Sequence, residues 1–162
     1  MKLLMCVLMK ALRQTILISV WLCLALSVAC SKEPVPGGAE MGISVKSAVM
    51  PSLAPGQMTA AIYLLLENNT EQTLVINHIV SSISDHIEVH RTFYEDGMMK
   101  MRSAPHVSIA PSGKMRFAPE GYHLMVFDIS SPVQAGDQFS LTIEFEGGKT
   151  VTGKVDVRRL AL

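Results

Sequence analysis

Short apolar runs separated by turn-forming residues fill the chain from position 43 onward, and no stretch carries a sustained helical period. Residues 43–50 end at Pro51, and residues 59–67 end at Asn68; the later runs are cut in the same way by Gly, Pro, Asn and Asp. Strand-length runs with a turn about every ten residues are typical of sheets packed face to face. The pattern predicts an all-β sandwich without internal repeats.

Residues 1–29 are predicted to be an export leader rather than part of this fold. Three basic residues give the leader a positive start, and residues 15–29 form an uncharged apolar run that ends in small residues. The run is short for a membrane-spanning helix. The sequence LSVAC at its end resembles the lipobox of bacterial lipoproteins, which implies that Cys30 is lipidated.

Two other interpretations of the leader stay open. Ser27 and Ala29 are small residues at the two positions that an ordinary signal peptidase reads, and an uncleaved anchor helix also fits the apolar run. If Cys30 carries a lipid, Ser31 after it does not supply an Asp-type retention signal. The sequence therefore predicts a periplasmic protein that touches a membrane only through its lipid, at the outer rather than the inner membrane.

Residues 30–41 are predicted to be a flexible linker, because they hold two prolines and two glycines and no apolar period. The folded domain is predicted over residues 42–160. Without the leader the chain keeps eleven basic and fourteen acidic residues, a net charge of −3. No cluster of Lys and Arg marks a nucleic-acid footprint, so nucleic-acid binding is not predicted.

Two histidines and two methionines are grouped within about a fifth of the chain: His90, Met101, His123 and Met125. Thioether sulfur is a soft ligand and imidazole a borderline one, so this set favours Cu(I) over Mg²⁺ or Ca²⁺. All three cysteines lie at or before position 30, which leaves the domain without a thiolate or a disulfide. This excludes a blue-copper electron carrier and a C-x-x-C reductase. Thioethers also suit an oxidising compartment, because they cannot form disulfides.

A turn at Asp96-Gly97 relates two of these residues. If the turn has two residues, Thr92 faces Met101 across the hairpin, and His90 lies diagonal to Met101 on the same face. A three-residue turn would place His90 and Met101 on opposite faces. The metal hypothesis therefore predicts the two-residue turn.

The segment around Leu124 carries the other two residues of the set. His123 and Met125 are one residue apart, so in a strand both project from one face. Leu124 and Val126 then project the other way, into the core. Two β segments that each offer a His and a Met can close around one small ion.

The last hairpin is predicted to be scaffold. Apolar residues alternate at odd positions in both of its strands. The two sets meet only across a loop with an odd number of residues. A three-residue loop at 147–149 is predicted, which would place Phe145 opposite Val151.

The spacing H-x10-M-x21-H-x-M, with the segments DGMMKMR and PEGYHLMVF, resembles the PCuAC family of periplasmic copper chaperones. The resemblance covers roughly residues 42–157. It implies a cupredoxin-like Greek-key β-sandwich or barrel that binds one Cu(I) per domain. It implies delivery of the copper to an exported acceptor, such as the binuclear site of cytochrome c oxidase subunit II, or to another copper chaperone. The implied ligands are His90, Met101, His123 and Met125.

Several alternatives stay open beside the chaperone. The methionines can fill an irregular core, in which case the chain is a metal-free exported scaffold or binding lipoprotein. A periplasmic copper-tolerance or storage protein fits the same ligands. A copper or zinc enzyme would need an acid or base beside an open coordination position, and none is apparent, so the chain is predicted not to be an enzyme. His86 and Glu88 share a predicted strand face with His90; solvated surface roles are favoured for them over orienting its imidazole.

Overall fold

The computed structural model describes residues 42–159, so the predicted leader, Cys30 and the predicted linker lie outside the described residues. Ten strands and no helix are present within this range, and accordingly no helix there could cross a membrane. The predicted all-β class is confirmed. The strands are β1 (Ile43–Pro51), β2 (Ala60–Asn68), β3 (Leu74–Ser81), β4 (Ile87–Glu95), β5 (Met98–Ser103), β6 (Ser108–Ile109), β7 (Lys114–Phe117), β8 (Tyr122–Val126), β9 (Gln138–Phe145) and β10 (Thr150–Arg158).

Strand β2 joins the two layers of the sandwich. Its first residues pair with β8, its later residues pair with β7, and its other edge pairs with β1. The hydrogen-bonded order is β5-β4-β8-β2-β1-β10-β9-β3-β6, and among the strands of residues 42–159 only the pair of β1 with β10 is parallel. One layer therefore holds β5, β4 and β8, and the start of β2. Within the described residues, β5 pairs with β4 alone and lies at the edge of this layer.

The core lies between the layers and follows the alternation of the strands. Along β2, buried and partly buried residues alternate from Ala60 to Asn68. Leu124 and Val126 of β8 are fully buried, as the sequence predicts. Burial of side chains of this size stabilises a fold by roughly 1.5–3 kcal/mol each. Leu124 and Val126 anchor β8 through the face that packs into the core, so the side chains on its other face are not needed for this packing and can form a site.

The hairpin between β4 and β5 has the predicted two-residue turn. Asp96 and Gly97 have φ angles of 54° and 75°. Positive φ at both central residues defines the type I′ turn, which matches the twist of two-residue hairpins and favours the Asp-Gly sequence. Glu95 pairs with Met98, as expected for this turn. The prediction of the turn is confirmed.

The loop of the last hairpin lies one residue earlier than predicted. Val151 lies opposite Ile143, not opposite Phe145. The N–H of Phe145 instead donates to the carbonyl of Lys149 at 2.8 Å, which leaves a three-residue loop at 146–148. The loop length is as predicted, but its position is wrong. Two consecutive glycines in the left-handed region, with φ of 84° and 82°, let the chain reverse one residue earlier.

Candidate metal centre

Three neighbouring strands carry the four predicted ligands on one face. His90 in β4 lies directly opposite His123 in β8. On the other side of β4, Met101 in β5 lies opposite Thr92. Residues directly opposite share a face, and so do residues two apart in a strand. Met125, two residues after His123, therefore joins the same face. The structure brings together the two halves of the set, which are far apart in sequence.

The two imidazoles lie close together and are withdrawn from solvent. Their ring centroids are 6.2 Å apart, and the planes are tilted by 51°. His123 is only 2% exposed, and the side chain of His90 is 16% exposed. Nδ1 of His90 and Nε2 of His123 are both buried without a hydrogen-bond partner among the described residues. A buried polar atom without a partner costs roughly 1–3 kcal/mol, so the pair is an unusual feature of a stable core.

The partners of the other two ring nitrogens fix the tautomers. Nε2 of His90 donates to the carboxylate of Glu88 at 2.9 Å. Nδ1 of His123 donates to the carbonyl of Gly121 at 3.2 Å. An ionised carboxylate and a carbonyl can only accept, so each of these nitrogens carries the proton of its neutral ring. When both rings are neutral, the lone pairs therefore lie on the two unpartnered nitrogens, which is the state needed to bind a metal ion.

Glu88 hydrogen-bonds to the imidazole of His90, which is the contact that the less favoured interpretation of the sequence requires. The hydrogen bond from His90 is the main reason that the pKa of Glu88 lies below its ordinary value. His86 contacts two carboxylates: its Nε2 is 3.6 Å from Glu88, and its Nδ1 is 2.9 Å from Asp128. The hydrogen bond to Asp128 raises the pKa of His86. The favoured prediction of a purely solvated role is wrong for Glu88, although its side chain is 43% exposed.

The two methionines of the set differ in exposure. Met101 is 52% exposed, whereas Met125 is partly buried, with Ala61 of β2 and Glu88 of β4 as its ladder partners. The two imidazoles are withdrawn from solvent, whereas the side chain of Met101 is open to solvent at the edge strand β5. Burial lowers the pKa of His123, which favours the neutral form of this ring.

Phe127 is a component of the site that sequence reasoning missed. Its ring centroid lies 5.9 Å from that of His90 and 4.8 Å from that of His86. The aromatic ring forms an apolar wall beside the imidazole of His90, which limits the access of water to that side chain. The alternation of side chains along β8 could have predicted this position, because residue 127 continues the odd-numbered series that contains His123 and Met125.

Arg91 lies away from this face. Neighbouring residues of a strand point to opposite faces, and the guanidinium carbon of Arg91 is 5.3 Å from the centre of the Tyr122 ring. Its positive charge is therefore not directed at the two imidazoles. Within residues 42–159 no three His, Cys, Asp or Glu side chains are grouped to hold a metal ion.

The architecture defines the class of protein: a β-sandwich with the fold of PCuAC domains. The copper-bound PCuAC domain from PmoF2 superposes with a TM-score of 0.63 at 19% identity, over 77% of this chain and 99% of that domain. The Cu(I) form of DR1885 from Deinococcus radiodurans gives a TM-score of 0.58 at 20% identity, over 74% of this chain and 82% of that one. At such identities the likeness is one of fold. The predicted cupredoxin-like sandwich is confirmed.

The family is given by the sequence comparison. The family model described as "Putative lipoprotein LpqE-like" matches residues 43–157, and the chain belongs to this LpqE-like family. A relative from Leifsonia xyli subsp. xyli, "Putative lipoprotein Lxx21020", is 29% identical over 124 residues, which cover 76% of this chain and 74% of that protein. With the PCuAC fold, this match confirms the predicted family resemblance.

Proposed function

We propose that the domain binds one Cu(I) on the face shared by β4, β5 and β8 and passes it to another exported protein. The donors are Nδ1 of His90, Nε2 of His123 and the sulfurs of Met101 and Met125. The observation that carries the proposal is the pair of buried imidazole nitrogens whose lone pairs have no hydrogen-bond partner. A soft cation satisfies both nitrogens and recruits the two thioethers beside them.

The charge of the donor set favours a monovalent ion. Two neutral imidazoles and two neutral thioethers leave a bound cation with its full charge, and the cost of burying charge rises steeply with its magnitude. Glu88 supplies one negative charge, but it acts through His90 rather than at the ion. Structural zinc sites, by contrast, usually draw on thiolates as well as imidazoles. Cu(I) is the ion that fits soft, neutral donors in a partly buried position.

The exposure of Met101 supports transfer rather than catalysis. A metalloenzyme keeps an open coordination position at its metal, beside a positioned acid or base. This face instead offers the half-exposed thioether of Met101, which can release an ion. We therefore propose a carrier and not an enzyme. Its acceptor is an exported copper protein, with the binuclear site of cytochrome c oxidase subunit II or another copper chaperone as the expected recipient. We further propose that lipidated Cys30 holds the carrier in the periplasm, at the outer membrane.

Copper loading followed by X-ray absorption tests the ligand set. We expect the protein, loaded with Cu(I) under reducing conditions, to hold one copper per chain with two nitrogen and two sulfur neighbours. In Met101→Ala one sulfur neighbour is lost and the affinity falls. Absence of bound copper in the wild type would support the metal-free scaffold, and a spectrum without sulfur would exclude the thioether ligands.

The two imidazoles make copper affinity depend on pH, because each must be neutral to bind metal. Burial lowers the pKa of His123, so this ring stays neutral to more acidic pH than an exposed imidazole. An imidazole of ordinary pKa, about 6.5, is roughly nine-tenths protonated at about pH 5.5. We expect the Cu(I) affinity to fall by about tenfold from roughly pH 7.5 to pH 5.5. Competition titrations against a Cu(I) chelator measure the fall; a constant affinity contradicts histidine ligation.

A further inference from the structure

We infer that Met99 is an outer thioether through which Cu(I) leaves the site, a transit ligand that is not one of the four resident donors. The inference rests on the proposed function and adds a step to it. Met99 lies two residues from Met101 on edge strand β5, and its ladder partner is Tyr94. It therefore shares the face of the metal centre and lies further toward the tip of the hairpin.

Exposure increases in steps along this face. The innermost donor, His123, is 2% exposed, Met101 is 52% exposed and Met99 is 66% exposed. Residues two apart in a strand are separated by about 6.6–6.8 Å along the backbone. Methionine has three rotatable side-chain bonds, so the sulfurs of Met99 and Met101 can swing together and share one ion. Solvent exposure therefore rises from His123 in the interior to Met101 and then to Met99 on the edge strand.

The opposite face of the same hairpin has different chemistry. Lys100 forms an ion pair with Glu95, and the guanidinium carbon of Arg102 is 5.5 Å from the centre of the Phe93 ring. Met98 belongs to that face and is 58% exposed. Met98 and Met99 have similar exposure but lie on opposite faces of β5. Of these two, only Met99 lies on the face that carries the proposed ligands. This provides a matched control within the chain.

The transfer step requires no electron or proton. Copper held by the two imidazoles, Met125 and Met101 keeps its bond to the sulfur of Met101 while a bond to the sulfur of Met99 forms. The bonds to the imidazole nitrogens and to Met125 then break, and the ion remains Cu(I) throughout. Imidazole binds copper in its neutral form and a thioether has no proton to lose, so no proton moves in the step itself. The acceptor's own ligands then replace the two sulfurs.

The test compares Met99→Leu with Met98→Leu in the Cu(I)-loaded full chain. Leucine preserves apolar bulk but removes sulfur. The acceptor probe is bicinchoninate in excess, whose coloured Cu(I) complex reports the rate of transfer in a stopped-flow instrument. We expect Met99→Leu to slow transfer by about tenfold, with copper content and equilibrium affinity unchanged. Met98→Leu should transfer at the wild-type rate.

The possible outcomes separate this inference from the proposed function. If both variants transfer at the wild-type rate, or both are slowed equally, Met99 is not a transit ligand although the resident site stands. If Met99→Leu lowers the equilibrium affinity as strongly as Met101→Ala does, Met99 is a resident ligand and the inference is wrong. If the wild type binds no Cu(I), the proposed function fails, and the transit role fails with it.

Discussion

Replacing His123 with phenylalanine is expected to reduce Cu(I) affinity by more than 100-fold. Loss of an outer hydrogen-bond partner of a metal ligand costs roughly 10- to 100-fold in affinity, and loss of a ligand itself costs more. His123 is the most deeply buried of the four proposed donors, so water cannot readily take its place. Competition titration of the variant against a Cu(I) chelator at neutral pH measures the effect.

The same substitution should leave the copper-free domain folded and at least as stable as the wild type. It removes a buried Nε2 that has no hydrogen-bond partner, whose burial costs roughly 1–3 kcal/mol. The carbonyl of Gly121 loses the hydrogen bond from the ring but keeps the one from the N–H of Thr92 at 3.0 Å. Denaturant titration of the copper-free forms measures the free energy of unfolding.

The matched control is His78→Phe, at an exposed position of β3, a strand whose ladder partners are β9 and β6 rather than the strands that carry the proposed ligands. It should change neither copper affinity nor stability appreciably. Wild-type copper affinity in His123→Phe would remove this residue from the ligand set. A large loss of stability without copper would show that the imidazole is retained for packing, as an ordinary core histidine is.

Local pattern was sufficient to predict most of the strands and one register. The Asp96-Gly97 turn fixes which residues of β4 and β5 face each other, because turn length determines register in a hairpin. The pairing of Thr92 with Met101 follows from this turn alone. The alternation of β8 likewise predicts that Leu124 is buried. These predictions depend on neighbours in sequence, and the structure confirms them.

Non-local contacts could not be derived in this way. The pairing of His90 with His123 joins β4 to β8, two strands that are separated in sequence by β5, β6 and β7. The spacing motif suggested that these residues converge, but not which ring nitrogens face each other. The tautomers depend on Glu88 and Gly121, and their geometry requires the folded backbone. The loop after Phe145 lies one residue earlier than the sequence predicts, because adjacent glycines allow the chain to reverse at either position.

Loss of the Glu88 carboxylate is expected to weaken Cu(I) binding by roughly 10- to 100-fold although Glu88 does not touch the ion. The carboxylate holds the proton of His90 on Nε2 and so leaves the lone pair on Nδ1. In Glu88→Ala the ring is free to rotate or to move its proton to Nδ1, and either change removes the donor. Competition titration of Glu88→Ala against a Cu(I) chelator measures the loss.

Two further variants separate orientation from charge. In Glu88→Gln the side-chain carbonyl can still accept from Nε2 of His90, so we expect this variant to recover most of the affinity that Glu88→Ala loses. Glu95→Ala removes another carboxylate, from an exposed position on the opposite face of β4, and should bind copper as the wild type does. Equal losses in the Ala and Gln variants of Glu88 would assign its effect to charge. Full affinity in Glu88→Ala would mean that packing orients His90 without the carboxylate, with the Phe127 ring 5.9 Å away as one of the neighbours that can do so.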